Sequence, residues 1–563
     1  MTTTATPARP AVPAAARRAW PDWLLEVGVG LVVAVVYLLT LSGNHSELED
    51  SMTYTNRIRD DPHSQFFEGI HVIFDWVAWA VYEVVRATGI TEDPLRTIQV
   101  FDALLAAVTV ALLARILVRG GVSRPAALVG CGIFAFSYSF WHNSVEVDVR
   151  SLSAFTLVLS LGAAWRATEW PSVRAFVVLG ALNGCAVLAH VTNVLFAGVA
   201  IAAMLLARRE RPLSAVGRWF GAYAVTASAV VVPIYAIAAV VRDLGTPKAF
   251  WDWFTAETHG GSYGQIALGS VKDAVVGCGR ALVGGHFALA LHSVHRFVDV
   301  HFPAKPLREE YYFLRGYSTA LAAALLAATV VVALLIVALA AQWLSRRLRL
   351  GLNGRLRTLS VLCVVWVVVY ATLFTIWDPF NLELWYVFWL PVALLLALPL
   401  AAGRTSRLRL GAGVAVVVGL FAVNLLGSAL PQRSNAKDYW RVRATWYRTH
   451  VHHDDLIISY EYIWSNYLAY LTPAQVVDAQ AFFKRMPRAE AARRVQEIAN
   501  SSHARRVFIS DYNFDPYPGN PAACNDGMHT CENAALLRRL LLPRSHVVAR
   551  TPLEKVWEYR RPG

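Results

Sequence analysis

Two short stretches set acid, base and hydroxyl side chains directly beside long apolar runs. The first is SGNHSELEDSMTY, residues 42–54, which places Glu47, Glu49 and Asp50 immediately after LLEVGVGLVVAVVYLLTL; Asp60, Asp61 and His63 follow. The second is FSYSFWHNSVEVDVRS, with Trp141, His142, Glu146, Asp148 and Arg150. Carboxylates at the mouth of an apolar bundle can act as a general base toward an acceptor hydroxyl. They can also hold a divalent ion that bridges phosphates, or line a cation path. The plainer readings are solvated loop ends and ion pairs of Glu146 or Asp148 with Arg150.

The elements that must position these groups are apolar. The chain has 563 residues, of which only 16% are charged, and a mean hydropathy of +0.42. A helix of about 20 residues spans roughly 30 Å of hydrocarbon, and the apolar blocks predict about eleven spans. They lie near 24–41, 98–118, 125–141, 151–166, 173–189, 190–207, 218–241, 318–342, 359–376, 384–402 and 409–429; residues 173–207 form nearly one run. The fold expected is a polytopic all-α membrane protein, over 21–430, with a small α/β domain at 431–563. The Pro/Ala/Thr-rich residues 1–20 read as a disordered cytoplasmic tail. Basic clusters then set the orientation. Arg17 and Arg18, and the loops RILVRGGVSR, SRRLRLGLNGRLR and GRTSRLR, fall on one side, which the positive-inside bias makes cytoplasmic. The formal charge of +13 is explained by these loops and anionic lipid, so no nucleic-acid partner is expected. The opposite face receives the outer loops 42–97 and 242–317 and everything after 430, which places the acidic mouth and the C-terminal domain outside the cell's inner membrane.

Within 431–563, DDLIISYEY and ARRVFISDYN read as short buried strands, with helical sequence such as DAQAFFKRMPRAEAARRVQEIAN between them. Cys524 and Cys531 in CNDGMHTC are either a short-loop disulfide, which an oxidising compartment would permit, or two free thiols. In the first outer loop, SQFFEGIHVIFDWVAWAVYEVVRATG is apolar but interrupted by Glu68, Asp75 and Glu83, and reads as an interfacial amphipathic helix or as a pair of short segments entering the membrane.

The two acidic stretches resemble the integral-membrane glycosyltransferases of the GT-C type, closest to the protein O-mannosyltransferase-like branch. The matching pieces are Asp50-Ser51, Tyr54, FFEGIH with His71, and SFWHNSVEVDVRSL with Glu146-Val147. The departures are the missing Gly-Glu after Asp50-Ser51 and the missing His-Pro-Pro element. The resemblance implies a sugar donor on a polyprenyl-phosphate carrier and a protein, lipid or glycan acceptor. It implies Asp50 as catalytic base, with Glu49 beside it and Glu146 as a second acid that supports the acceptor or an ion. A divalent cation, magnesium or manganese, would sit on Asp50 and Glu146. Substrate contacts would come from His71, His142, Asp148, Arg150, His190 and Arg59. Arginine suits the carrier phosphate because its fork can bind two oxygens at once, although spacing singles out no one arginine. His190 stands inside an apolar run, where an ionisable group is costly without a partner. Asp378, Asn381 and Glu383, in DPFNLELWYVFWLP, read as a helix cap or as a third contact to substrate.

The rival reading is a transporter or flippase of a lipid-linked substrate. It would place ionisable residues at mid-span on broken, repeated helices. The spans here are clean apart from His190 and Asn183, and no internal repeat is visible. No GxxxxGK[ST] or GxGxxG stands in a strand–turn–helix setting, so nothing points to nucleotide chemistry. Neither the sugar nor the acceptor is identified by the sequence.

Overall fold

A computed structural model describes residues 21–47, 50–60, 63–208, 211–255, 268–301, 308–349, 354–401, 407–517, 524 and 529–562. Glu49 and the N-terminal tail lie outside the described residues.

The protein spans the membrane several times. Among the described residues, seven helices, rather than eleven, are long and apolar enough to cross a membrane. They include α1 (Asp22–Leu39) and, further on, Pro94–Arg119, Leu213–Val241, Thr319–Ser345 and Gly354–Trp377. The other expected spans are filled by Arg124–Ala135, Val173–Ala189 and Tyr386–Leu400, which are shorter, and by Arg150–Glu169. After α1 come α2 (Asp50–Asp60), α3 (Phe74–Ala87) and α4 (Pro94–Arg119). Asp93 starts α4, accepting from the Leu95 and Arg96 amides, with Pro94 at the first turn, where its missing N–H costs nothing.

The third expected span is a correction. It is broken into α5 (Arg124–Ala135) and α6 (Tyr138–Ser144). The break frees the Phe136 carbonyl, and the buried Asn424 side chain donates to it at 2.7 Å and to the Leu282 carbonyl at 3.0 Å. A backbone carbonyl inside a bundle needs such a partner. α7 (Arg150–Glu169) then leads back along α4. The apolar run 173–207 is interrupted at His190, whose extended backbone (φ −160°, ψ 125°) ends the helix Val173–Ala189. Asn193 repairs that interruption, donating to the Ala186 carbonyl at 2.9 Å and to Ser153 at 2.8 Å.

The C-terminal unit carries a five-stranded sheet in the order β2-β1-β3-β5-β4. The strands are β1 (Leu456–Ser459), β2 (Gln475–Asp478), β3 (Val507–Ser510), β4 (Ser545–Arg550) and β5 (Lys555–Tyr559). β1 lies parallel to β2 and β3, while β5 runs antiparallel to β3 and β4. β1 and β3 are buried on both faces, as unbroken Leu-Ile-Ile-Ser and Val-Phe-Ile-Ser runs predict. Cys524 and Cys531 are joined as a disulfide.

This unit does not hang free. Met52, Tyr54 and Phe74 from α2 and α3 share one apolar core with Trp440, Tyr447 and Trp464 of the C-terminal unit. The mouth is therefore held between the bundle and the sheet.

Candidate active site

The segment that links α1 to α2 is fixed by backbone bonds. The Ser42 amide donates to the Val145 carbonyl at 3.1 Å, and the Gly43 and Asn44 amides both reach the Gln432 carbonyl at 2.9 Å. Gln99 donates from α4 to the Ser42 and Val145 carbonyls at 3.0 and 3.1 Å. A Cβ on Gly43 would stand 2.5 Å from the Arg433 carbonyl oxygen, so only glycine permits this approach. Asp438 joins the same knot: it accepts from the His45 amide at 3.0 Å, Ser46 Oγ at 2.7 Å and Tyr467 Oη at 2.9 Å.

This scaffold presents Asp50 as the first residue of α2. Asp50 lines a cavity of about 380 Å³ with Glu47, Arg150, His190, Asn381 and Glu383. Burial pushes its carboxyl up to about 7, against the opposing pull of Arg150 and with Glu383 and Glu68 adding to the rise. A carboxylate poised near neutrality suits proton abstraction. Arg150 sits at the start of α7 and bridges two acids. Its guanidinium donates to both Asp148 oxygens at 2.8 and 3.0 Å and to Glu383 at 2.6 Å. Its Nε is buried with no protein partner. Asp148 is itself placed by Asp102, whose carboxylate accepts from the Asp148 amide at 3.1 Å. His190 hydrogen-bonds Thr192 at 2.7 Å.

A second cavity, of about 490 Å³, adjoins the first, and Glu47, Asn381 and Glu383 line both. Glu47 accepts from Tyr138 at 2.9 Å and from Gln432 at 3.0 Å through one oxygen, while the other oxygen is buried without a hydrogen bond. His142 stacks on Tyr138 and faces Glu47 at 3.9 Å. Arg280 pairs with Glu310 at 2.8 Å, and the far wall carries Trp440, Glu461 and Tyr512 from the C-terminal unit.

Of the residues read from sequence, Asp50, Arg150 and His190 share the first cavity, and His142 lies in the second. Glu146 lines neither; it is fully buried, bonded to His45 and to Ser51. Asp148 stands behind Arg150 in the ion pair that the spacing allowed. His71 is bonded to Tyr54 at 3.0 Å and faces Glu68 at 3.4 Å. Arg59 lies apart, half-exposed and paired with Asp60. Neither of these two cavities is lined by both Asp50 and Glu146, and among the described residues no three His, Cys, Asp or Glu side chains converge as metal ligands would. Glu47, Glu383 and Arg280 also line these cavities, and local sequence does not mark their pairing. Each lies far in sequence from its partner, and only the Asn381 side chain, which accepts from the Glu383 amide at 3.0 Å, left a local trace as a turn.

The crystal structure of ArnT from Cupriavidus metallidurans bound to undecaprenyl phosphate superposes over 95% of this chain and 97% of its own, with a TM-score of 0.54 at 13% identity. The chain has the GT-C fold. The apo form of the same ArnT covers the same shares at a TM-score of 0.46 and 14% identity. The Saccharomyces cerevisiae protein O-mannosyltransferase Pmt1-Pmt2 complex bound to the sugar donor gives a TM-score of 0.31 at 15% identity, over 41% of this chain and 34% of that one. The profile of the protein O-mannosyl-transferase TMEM260 N-terminal domain matches residues 81–214. No curated protein matches the sequence. The matched stretch of the GT-C fold contains Asp102, His142, Glu146, Asp148, Arg150 and His190, whereas Asp50, Arg59 and His71 precede it.

Proposed function

We propose that this protein is a glycosyltransferase that moves a sugar from a polyprenyl-phosphate carrier to an acceptor hydroxyl, with Asp50 as the general base. The observation that carries the reading is the pair of adjoining cavities that share Glu47, Asn381 and Glu383, with Asp50 and Arg150 together in one of them. The Asp50 carboxylate takes the proton from the acceptor hydroxyl as its oxygen bonds to the anomeric carbon. The bond from that carbon to the phosphate oxygen breaks, and its electron pair leaves with the carrier phosphate. Arg150, with its Nε unspent, is the cation in that cavity suited to the departing charge. The larger cavity, walled by aromatic, acidic and basic side chains, is where we place the acceptor. The ArnT likeness and the TMEM260 profile support this reading over a flippase, as does the gathering of ionisable groups at one end of the bundle rather than at mid-span.

We further place this end outside the inner membrane. The basic loops at the other end favour that orientation, and so does the Cys524–Cys531 disulfide. The acceptor is left as a protein, lipid or glycan hydroxyl.

The test mixes purified protein with radiolabelled polyprenyl-phosphate sugars and a membrane extract as acceptor. Asp50→Asn runs in parallel, with and without added chelator. Label transferred by the native chain and not by the variant supports the reading, and the chelator arm decides the magnesium or manganese requirement. Equal transfer by Asp50→Asn removes Asp50 as base. Lipid crossing the bilayer without bond cleavage would make the protein a flippase instead.

A further inference from the structure

α4 and α7 both begin at the mouth and end some distance away; 26 residues of α4 carry its end about 39 Å from its start. Their last turns, with the first turn of Gly354–Trp377, enclose a cleft of about 520 Å³ at the opposite end of the bundle. Its wall is apolar, from Leu112, Ile116, Val158 and Leu159, and its rim carries Arg115, Arg119, Arg166 and Arg355. Against these four cations stands one carboxylate in the lining, Glu169, which is spent on Arg355 at 2.8 Å. Arg115 comes only to 4.0 Å from Glu26. Arg119 and Arg166 have no ion-pair partner among the described residues.

A separate observation concerns Trp165, which lines the same cleft. It is 7% exposed, yet its indole N–H has no hydrogen-bond partner. Buried donors are almost always satisfied, so this one is left for an acceptor that the chain does not supply. Trp170, also in the lining, is 68% exposed, as a tryptophan at the headgroup level of a bilayer would be.

We propose that this cleft binds an anionic glycerophospholipid of the surrounding leaflet. Its phosphate and headgroup meet Arg119, Arg166 and the Trp165 N–H, and an acyl chain lies along the apolar wall. A free phosphate would leave that wall uncovered, and a zwitterionic lipid would leave the arginines uncompensated. The proposal does not depend on the transfer reaction.

The experiment uses the full chain in lipid discs of phosphatidylcholine alone or with phosphatidylglycerol added. Bound lipid is counted by native mass spectrometry, and the unfolding midpoint is followed in each disc. Phosphatidylglycerol is expected to be retained after detergent exchange and to raise the midpoint by a few degrees. Arg119→Gln with Arg166→Gln should weaken that lipid at least tenfold, and Trp165→Phe should weaken it less, with midpoints in pure phosphatidylcholine unchanged. Arg218→Gln with Arg407→Gln, exposed basic positions outside the cleft lining, should leave binding intact. Equal retention of the two lipids, or equal loss in both double variants, overturns the proposal. So does a midpoint shift reproduced in full by glycerol phosphate without acyl chains.

Discussion

Arg150 and Glu383, 233 residues apart, meet at 2.6 Å in the wall of the first cavity. The same guanidinium holds Asp148, so replacing it leaves two carboxylates without their cation. Arg150→Gln should cost about 3–5 kcal/mol of stability and abolish transfer. Glu383→Gln keeps an acceptor for the fork and should cost about 1–2 kcal/mol. Thermal unfolding of both variants and of the double variant gives the coupling between the two sites. Additive losses would mean that the pair contributes nothing beyond its members.

Asp50 predicts a pH profile. Its carboxyl is pushed up to about 7 by burial, and a general base works only when deprotonated. Transfer should therefore rise with pH through about 7 and flatten above it, with the turn absent from whatever residual rate Asp50→Asn retains. Because burial disfavours the charge, Asp50→Asn should unfold no earlier than the native chain at neutral pH.

Gly43 is a test of the scaffold rather than of the chemistry. Gly43→Ala places a methyl group against the Arg433 carbonyl, and overpacking of this kind costs about 1–3 kcal/mol. The displaced segment carries Glu47 and leads into Asp50, so transfer should fall well beyond the loss of folded protein. Gly28→Ala, in α1 with nothing within 4 Å of the new Cβ, should leave both stability and rate unharmed.

The Cys524–Cys531 disulfide reports on orientation as well as on stability. In intact cells both thiols should resist alkylation until a reductant that crosses no membrane is added. Cys524→Ser with Cys531→Ser should lower the stability of the C-terminal unit by about 2 kcal/mol, as a bridge closing a short loop does.

The parts of the fold that local pattern controls were legible in the sequence. Apolar blocks located the helices, and two buried strands stood out by their β-branched runs, whereas residues 173–207 read as nearly one run and hid the break at His190. The break between α5 and α6 was not legible, because the residue that makes it tolerable is Asn424, nearly three hundred positions away. The site divides in the same way. Asp50 and Arg150 belong to acid and base clusters visible at span ends, and the structure brings both to one cavity. Glu146 bore the same signature, yet its carboxylate is spent on His45 and Ser51. Local sequence marks which groups reach the mouth, but a group's freedom to react depends on partners from other helices.

The core shared by α2, α3 and the C-terminal unit also orders the protein's biogenesis. Tyr54 and Phe74 are made early, but the Trp440, Tyr447 and Trp464 they pack against emerge only after the span Arg407–Gln432 has been synthesised. Asp438, which fastens the segment around His45 and Ser46, is equally late. The bundle can insert as it is translated, while the mouth stays unfinished until Trp440, Tyr447 and Trp464 have been made. A nascent chain that has not yet reached these residues therefore carries no assembled mouth around Asp50.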